Sequence, residues 1–439
     1  MIDLRLIREQ PELVRDAARK KNLRAESVDE LLAVDARRRA LETEFNELRS
    51  QQNKAGERIA RAPKEEKAAL SAEMGQLKAR LKQIDEERAV VDQQLHERML
   101  LMPQIPDPAA PVGASDQENV EIRRVGTPRR RDEFGFPFRD HVELGVALDI
   151  VDVDRGVKLA GSRNYVLKGA GAELHEAVLR LAWDRMLSRR FAPPAGGPAA
   201  LRFTPLSVPV LVLDKLMEGT GYFPQGREQA YLCERDGQSL VGTAEVPVTG
   251  LHADEILDAD QMPKLFVARS TCFRREAGAA GKDTRGLYRI HLFDKLEQVV
   301  LCRADAAESA YWHEIIVRNA TDLLEELELP YRVLEVCTGD MGLGKVRMYD
   351  IETWMPSRDA FGETHSASRF HDFQSRRLNL RYRDEHGKPQ FCHTLNNTVI
   401  ASPRILIPLL EQNQNADGSV TIPMPLRPYM AGRERIEKA

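Results

Sequence analysis

Residues 270–299, STCFRREAGAAGKDTRGLYRIHLFDKLEQV, carry the strongest structural signal in this chain. Alternating apolar and polar residues predict one strand from Leu265 to Arg274 and a second from Leu287 to Cys302. The loop between them is rich in glycine and charge, including Gly278, Gly281, Lys282, Asp283, Arg285 and Gly286. Two antiparallel strands around such a loop predict a cradle for a polyphosphate. The acids beside it indicate that an amine or a cation binds there too.

Composition limits the possible classes of protein. With 439 residues, the chain is too long for one ordinary core and predicts two or more domains. The net charge of −4 gives no global reason for nucleic-acid binding, so any such contact requires a local patch. Five scattered cysteines without a CxxC pair predict reduced thiols and argue against a cysteine zinc site. The charged N-terminus and the lack of a long apolar run predict a soluble, cytoplasmic protein without membrane contact.

Two heptad seams lie between Glu26 and Met102, and the segment around Pro63 separates them. A proline there can end one helix and open the next. We therefore predict a hairpin of two long antiparallel helices, each reaching about 50 Å at 1.5 Å per residue. The predicted seam positions are Leu31, Val34, Arg38, Leu41, Phe45, Leu48, Gln52, Ala55, Ile59, Leu70, Met74, Leu77, Leu81, Ile84, Arg88, Val91 and Leu95.

The hairpin pattern alone leaves two functions open. A dimerisation coiled coil explains the seams, and the near balance of basic and acidic residues in 28–102 does not indicate an RNA-binding arm. A basic stripe on one face can nevertheless bind phosphates without net charge. The basic residues that cluster are Arg37, Arg38, Arg39, Lys54, Arg58, Arg61, Lys64 and Lys67.

The remainder of the chain reads as one globular domain after an extended linker. Four prolines between Pro103 and Pro111 exclude helix there. Strands that alternate apolar and polar residues predict an α+β fold, an antiparallel sheet with flanking helices. The chain has no GxGxxG after a strand and no GxxxxGK[ST], so the nucleotide site is neither Rossmann nor P-loop. The predicted helices are 173–190 and 307–327, and the other predicted strands are 201–212, 331–337, 347–354 and 390–397.

From end to end, the chain resembles the bacterial type of seryl-tRNA synthetase, a class II aminoacyl-tRNA synthetase. The resemblance rests on the two-helix arm followed by several motifs in a fixed order. These motifs are RFTPLSVPVLV with Pro209 and then MEGTGYFP (217–224), similar to motif 1; GTAEVPVTG (242–250), similar to the serine-binding element; FRREAG through FDKLE (273–297), similar to motif 2; LEVCTGDMG and YDIETWMPS before GETHSAS (362–368); and HTLNNTVIASPRILIPLLE (393–411), similar to motif 3.

The resemblance implies an ATP site in the second domain. Arg274, Arg404 and Glu363 would be its catalytic residues, with Arg274 on the α-phosphate and Arg404, within a helix starting near Ser402, on the γ-phosphate. Glu276 would accept from the adenine amino group. Glu363 and Ser366 would bind Mg²⁺, and no zinc is expected. The full implied ATP-binding set is Arg274, Arg275, Glu276, Arg289, Phe293, Glu363, Thr364, His365, Ser366 and Arg404.

The resemblance also implies a serine pocket. Glu245 would bind the serine ammonium, and Thr243 would position it. Glu297, Asn396 and Thr398 would receive the serine hydroxyl, a hydrogen-bonding pocket that rejects alanine strongly. The implied serine-binding set is Thr243, Ala244, Glu245, Glu297, Asn396 and Thr398.

The implied reaction is two-step serylation of tRNA(Ser) by a homodimer, with tRNA(Sec) as a further substrate where an organism has one. Residues 1–110, with the hairpin at about 26–102, would bind tRNA, and residues 111–439 would be catalytic. Two rivals remain. A carrier-protein ligase of similar fold would lack the long arm, and a non-catalytic paralogue would have lost Arg274, Glu297 or Glu363. The chain departs from the usual family pattern at Arg275, Leu292 and His365. These departures leave undecided which side chains around the nucleotide contact it.

Overall fold

The structure, a computed structural model, describes residues 1–194, 196, 198, 200–278, 281 and 285–438. Lys282 and Asp283 of the predicted phosphate loop lie outside these residues. The chain forms two units, one of residues Ile2–Ile105 and one from Pro106 onward. The first unit contains helices α1 (Leu4–Glu9), α2 (Pro11–Lys20), α3 (Glu26–Arg61) and α4 (Lys67–Leu100).

Helices α3 and α4 form the predicted antiparallel hairpin, with Pro63 in the connection between them. Every predicted seam residue is buried or half-buried, and Leu41 and Ile84 are fully buried. The polar interruption at Arg88 is accommodated because its guanidinium lies 4.6 Å from the Phe45 ring and donates to Glu42 across the hairpin (2.9 Å). The heptad prediction is confirmed.

Cations along the hairpin differ in their ion pairing. Arg37 binds Glu87 (2.6 Å) and Arg38 binds Asp92 (2.7 Å), so these charges are neutralised across the hairpin. In the part of the chain that the structure describes, no ion pair involves the basic residues nearer the connection, which are Lys54, Arg58, Arg61, Lys64 and Lys67.

The second unit contains the remaining helices and all the strands of the described residues. Its helices are α5 (His141–Ala147), α6 (Val153–Ala160), α7 (Ala170–Ser188), α8 (Asp214–Thr220), α9 (Glu245–Thr249), α10 (Ala306–Glu326), α11 (Phe373–Arg377) and α12 (Leu406–Gln412). Its strands are β1 (Val120–Val125), β2 (Val151–Asp152), β3 (Val166–Leu167), β4 (Thr204–Leu206), β5 (Leu211–Leu213), β6 (Tyr231–Cys233), β7 (Gln238–Leu240), β8 (Ile256–Leu257), β9 (Lys264–Phe273), β10 (Leu292–Cys302), β11 (Tyr331–Glu335), β12 (Arg347–Met355), β13 (Ala360–His371), β14 (Arg381–Arg383), β15 (Pro389–Phe391), β16 (His393–Ser402), β17 (Val420–Thr421) and β18 (Arg435–Ile436).

An eight-stranded sheet organises this unit, with the order β1-β11-β12-β13-β16-β10-β9-β4. Its neighbouring strands are antiparallel except for the parallel pair β4 and β9. Apolar residues of α7, α10 and α12, such as Leu181, Trp312 and Leu406, share one core with the sheet. The predicted α+β class with an antiparallel sheet and flanking helices is confirmed.

Several predicted boundaries are wrong, each for a local reason. The predicted strand 201–212 divides into β4 and β5, which lie in different sheets, and Pro209 between them has no N–H to donate to a ladder. The strand predicted from Leu287 begins only at Leu292. The Leu287 amide donates to His141 (3.2 Å) and the His291 amide to the Arg163 carbonyl (3.2 Å), so neither is free for a ladder. The predicted strand 390–397 also divides, at Cys392, into β15 and β16.

Composition led to predictions about membrane-spanning segments and about the cysteines. Among the described residues, no helix combines the length and the apolar composition that are needed to cross a membrane. All five cysteines are free thiols, and every one except Cys233 is buried.

Candidate active site

A cavity of about 350 Å³ lies on the face of the sheet opposite the α7 and α10 core. It brings together residues from β10, β13, β16 and the loop after β9. An adjoining cavity shares Arg274, Glu276, Glu363 and Arg404 with it and adds Arg289. The predicted site residues that line the main cavity are Glu245, Arg274, Glu276, Phe293, Glu297, Glu363, Thr364, His365, Ser366, Asn396, Thr398 and Arg404.

Three predicted site residues do not line either cavity. Thr243 is buried, and its hydroxyl accepts from the Glu245 amide (3.2 Å), so it supports the first turn of α9. Ala244 packs in the apolar cluster behind the site. Arg275 is exposed and donates to the Glu228 carbonyl (3.3 Å). Direct contact of these side chains with a ligand remains a prediction.

Strand alternation explains which side chains of β10 reach the cavity. Leu296 and Val300 enter the core under the helices, whereas Lys295 and Glu297 face the cavity. A register shift in the pairing with β16 places Leu296 opposite Ile400 but Glu297 opposite Thr398. This β-bulge brings the Thr398 hydroxyl to 3.4 Å from the Glu297 carboxylate.

A second bulge shapes the segment GETHSAS. Ser366 pairs with Asp350, but Glu363 pairs with Glu352, so Thr364 is the extra residue of β13. Residues three apart in a regular strand point to opposite faces. The bulge therefore lets Glu363 and Ser366 both line the cavity.

Two buried carboxylates define one end of the cavity. Glu245 is 6% exposed and accepts from the Tyr222 hydroxyl and from the Gln374 amide, each at 2.8 Å. Glu297 is 2% exposed and forms an ion pair with Lys295. Both carboxylates are thus held in place by donors before any ligand binds.

Burial dominates the electrostatics of this end. It raises the pKa of Glu297, and the nearby Lys295 ammonium opposes that shift while Glu245 adds to it. Burial and the neighbouring Glu245 likewise raise the pKa of Tyr222 well above its usual value, so its hydroxyl stays a donor. The Asn396 side-chain nitrogen is buried with no hydrogen-bond partner among the described residues, which leaves a donor available.

Arginines and an aromatic ring define the other end. The Arg274 guanidinium lies 5.2 Å from the centre of the Phe293 ring, and the Arg274 amide bonds to the His291 carbonyl (2.9 Å). Glu276 has a left-handed backbone (φ 52°), and its carboxylate accepts from Arg289 (2.7 Å). The Glu276–Arg289 pair is not evident from the sequence.

The prediction that places Arg404 in a helix is wrong. This residue does not lie in a helix starting near Ser402, because β16 includes Ser402 and α12 begins only at Leu406. Arg404 occupies the turn between them. Its Nε donates to the Tyr288 carbonyl (3.1 Å) and its Nη1 to the Glu363 carbonyl (3.0 Å), with the guanidinium 4.6 Å from the Tyr288 ring centre.

His365 lies in the cavity wall and is 1% exposed. Its Nε2 donates to the Val399 carbonyl (3.1 Å), and its Nδ1 lies 2.9 Å from the Thr364 hydroxyl. Burial lowers the pKa of His365 to about 3, so the ring is neutral. These bonds connect β13 to β16, and nucleotide contact by this side chain remains a prediction.

Sequence reasoning missed the residues that support the site. Gln374 carries no motif signal of its own, and Asp350 and Tyr222 lie within quoted motifs without a predicted role. Asp350 faces Ser366 across the strand pair and has a buried oxygen for which the described residues offer no hydrogen-bond partner. Burial and the nearby Glu363 raise its pKa well above its usual value. Two carboxylates and a hydroxyl at one place form an oxygen donor set suited to a hard cation.

The antiparallel sheet and the cavity that Arg274 and Arg404 line belong to a class II aminoacyl-tRNA synthetase domain, as the family comparison shows. Residues 231–413 match the family model of the tRNA synthetase class II core domain (G, H, P, S and T), and residues 1–106 match that of the Seryl-tRNA synthetase N-terminal domain. The chain belongs to the seryl-tRNA synthetase family and is an aminoacyl-tRNA ligase.

Individual relatives agree with this family along their whole length. A serine–tRNA ligase from Deinococcus radiodurans is 46% identical over 434 residues, which cover 99% of this chain and 98% of the relative. A serine–tRNA ligase from Symbiobacterium thermophilum is 40% identical, with 100% of both chains covered. The crystal structure of seryl-tRNA synthetase from Pyrococcus horikoshii complexed with ATP superposes with a TM-score of 0.89 at 38% identity, covering 100% of both chains.

Proposed function

We propose that this chain activates L-serine with ATP to give seryl-adenylate and pyrophosphate, and then transfers serine to tRNA(Ser). The observation that carries the proposal is the polarity of one cavity, with two buried carboxylates at one end and arginines with an aromatic ring at the other. An amino acid with an ammonium and a hydroxyl complements the first end, and a nucleoside triphosphate complements the second.

In this proposal Glu245 binds the serine ammonium. Its two oxygens already accept from Tyr222 and Gln374, so the carboxylate is oriented without a cation of its own. The ammonium supplies the missing positive charge in a buried site. Thr243 acts through the Glu245 backbone, and Ala244 packs behind it.

Glu297, Asn396 and Thr398 receive the serine hydroxyl. The Glu297 carboxylate can accept its proton, while the unpartnered Asn396 amide can donate to its oxygen. Alanine leaves these buried groups without that partner, which costs far more than the loss of a methylene contact. Threonine is excluded by size alone.

ATP occupies the other end of the cavity. Phe293 stacks on adenine, and Glu276 accepts from its amino group. Arg274 holds the α-phosphate, where negative charge develops as the serine carboxylate attacks. Arg404, Arg289, Arg275, Thr364 and His365 complete the proposed ATP-binding set. ATP binding by Arg289 requires that its ion pair with Glu276 rearrange or be shared.

We assign Mg²⁺ to Glu363 and Ser366. The buried Asp350 oxygen, which lacks a hydrogen-bond partner within the described part of the chain, supports a cation at this place. Held by these residues, the ion would supply positive charge to the phosphate oxygens of ATP. The chain's own residues align the serine carboxylate with the α-phosphorus and exclude water from the cavity. Positioning and charge stabilisation then suffice for in-line displacement.

The first domain, residues 1–110, is proposed to bind tRNA, and residues 111–439 are proposed to be catalytic. The basic residues near the α3–α4 connection, which form no ion pair with any described residue, support phosphate contact by the hairpin. Arg37 and Arg38, in contrast, are already neutralised. The same arm would bind tRNA(Sec) where it exists.

We also propose a homodimer in the cytoplasm. Helices α5 and α6 leave Val146 (61%), Val157 (44%) and Leu159 (77%) exposed, which is consistent with a covered apolar surface. The free thiols fit a reducing compartment. Sedimentation of the purified chain tests the dimer.

The test of the reaction is charging of tRNA(Ser) with labelled serine by the purified chain, with AMP formation followed in parallel. We expect charging that depends on serine, ATP and Mg²⁺. Charging with a different amino acid, or AMP formation without transfer to tRNA, would contradict the proposal.

A further inference from the structure

Lys295 is a buried lysine inside the proposed serine pocket. Its side chain is 8% exposed, and its Nζ forms an ion pair with Glu297 while donating to the Thr398 hydroxyl (3.3 Å). The Thr398 hydroxyl lies 3.4 Å from Glu297. The three side chains therefore contact one another in a closed triangle at the cavity wall.

Such a lysine is costly unless it has a specific partner. A buried ammonium or carboxylate loses its hydration, and this loss is recovered only when charge and hydrogen bonds are matched. Glu297 would otherwise be a buried carboxylate facing a second acid. The charged and titratable groups that act on it from the surrounding elements are Lys295 on β10, Glu245 on α9, Tyr222 after α8 and Cys272 on β9.

We propose that Lys295 is a positioning residue for amino-acid selection, whose ammonium fixes the Glu297 carboxylate and the Thr398 hydroxyl as a pre-formed acceptor pair for the serine hydroxyl. This inference rests on the proposed assignment of Glu297 and Thr398 to that hydroxyl. Alanine does not use the pair. Lys295 thus determines the ratio of serine to alanine activation rather than activation as such.

The test is ATP–pyrophosphate exchange by full-length Lys295→Met, measured with serine and with alanine. We expect kcat/KM for serine to fall about 100-fold, while that for alanine changes less than about threefold. The KM for ATP stays unchanged. Lys295→Arg keeps the positive charge and restores part of the serine-to-alanine ratio.

The pH profile gives a second readout that a merely structural role would not move. Burial already raises the pKa of Glu297, and removal of the ammonium raises it further. In Lys295→Met, the Glu297 carboxyl group must lose its proton before it accepts a hydrogen bond from the serine hydroxyl. The kcat/KM of this variant for serine therefore rises more steeply with pH than that of the unaltered chain.

Glu297→Gln in the same assay separates two kinds of failure. If Glu297→Gln lowers the serine-to-alanine ratio and Lys295→Met does not, the role of Lys295 is refuted and the pocket assignment stands. If neither variant changes the ratio, the assignment of the serine hydroxyl itself is refuted. Equal losses with serine and alanine in Lys295→Met, without rescue in Lys295→Arg, would show that Lys295 only maintains the fold.

Discussion

Glu245→Gln removes one negative charge from the proposed ammonium site while keeping the shape of the side chain. In the structure, the Glu245 carboxylate is 6% exposed and already accepts from Tyr222 and Gln374. The side-chain amide of a glutamine accepts hydrogen bonds through its oxygen only. Either the Tyr222 hydroxyl or the Gln374 amide would therefore face an amide nitrogen instead of an acceptor. The serine ammonium also loses its counter-charge in a dry site.

A hydrogen bond to a charged group contributes about 1.5–3 kcal/mol, which corresponds to a factor of about 10–150 in binding. We therefore expect the KM for serine to rise by that factor in Glu245→Gln. The KM for ATP should change little, because the Glu245 carboxylate bonds to Tyr222 and Gln374, neither of which is assigned to ATP. Pyrophosphate exchange measured against serine at saturating ATP, and against ATP at saturating serine, gives both constants.

Glu234→Gln is the matched control, since Glu234 is an exposed acid in a turn and does not line the cavity. It should leave both constants unchanged. An unchanged KM for serine in Glu245→Gln, or an equal rise in the constants for serine and ATP, would refute the assignment of Glu245 to the ammonium.

Three other predictions concern the arm and the core. Charge reversal at Arg58 and Arg61 should lower the rate of tRNA charging several-fold without altering pyrophosphate exchange; a matched loss of both activities would exclude an RNA role for these residues. Leu81→Ala removes a seam side chain that is 6% exposed and should lower the stability of the hairpin by about 2–3 kcal/mol. The loss is measured as a lower melting temperature of the helical circular-dichroism signal. An unchanged melting temperature would contradict the packing of Leu81 in the seam. The pKa of His365 is about 3 in the folded chain, so on acidification its imidazole takes up a proton in the unfolded chain first. Protonation of this one group therefore lowers the free energy of unfolding by about 2 kcal/mol between pH 7.5 and 5. Urea titrations of the unaltered chain and His365→Gln should show a smaller acid loss in the variant, and equal losses would contradict the assignment.

Periodic patterns predicted much of the architecture. The hairpin followed from two heptad seams and the proline at position 63 between them, because burial of one face requires a fixed repeat along each helix. The antiparallel sheet followed from alternating strands. The motifs predicted a set of site residues, and twelve of these line one cavity, while their roles remain predictions.

Local geometry was less predictable, because it depends on residues distant in sequence. The strand containing Glu363 and Ser366 was not predicted, and its bulge at Thr364 depends on the register with β12. The turn that holds Arg404 depends on carbonyl groups of Tyr288 and Glu363, which no local pattern reveals.

Supporting contacts were missed for the same reason. Gln374 reaches Glu245 across 129 positions of sequence, and no propensity connects two such residues. Lys295 and Glu297 lie two positions apart in the predicted strand 287–302, and strand alternation places both side chains on one face, where they form an ion pair. The contact of both with Thr398 required the bulge between β10 and β16.

The most direct test of the central claim is a crystal structure with a non-hydrolysable seryl-adenylate analogue bound. We expect the seryl ammonium at Glu245, the hydroxyl between Glu297 and Thr398, and adenine stacked on Phe293. An analogue bound in the reverse orientation, or outside the cavity that these residues line, would contradict it.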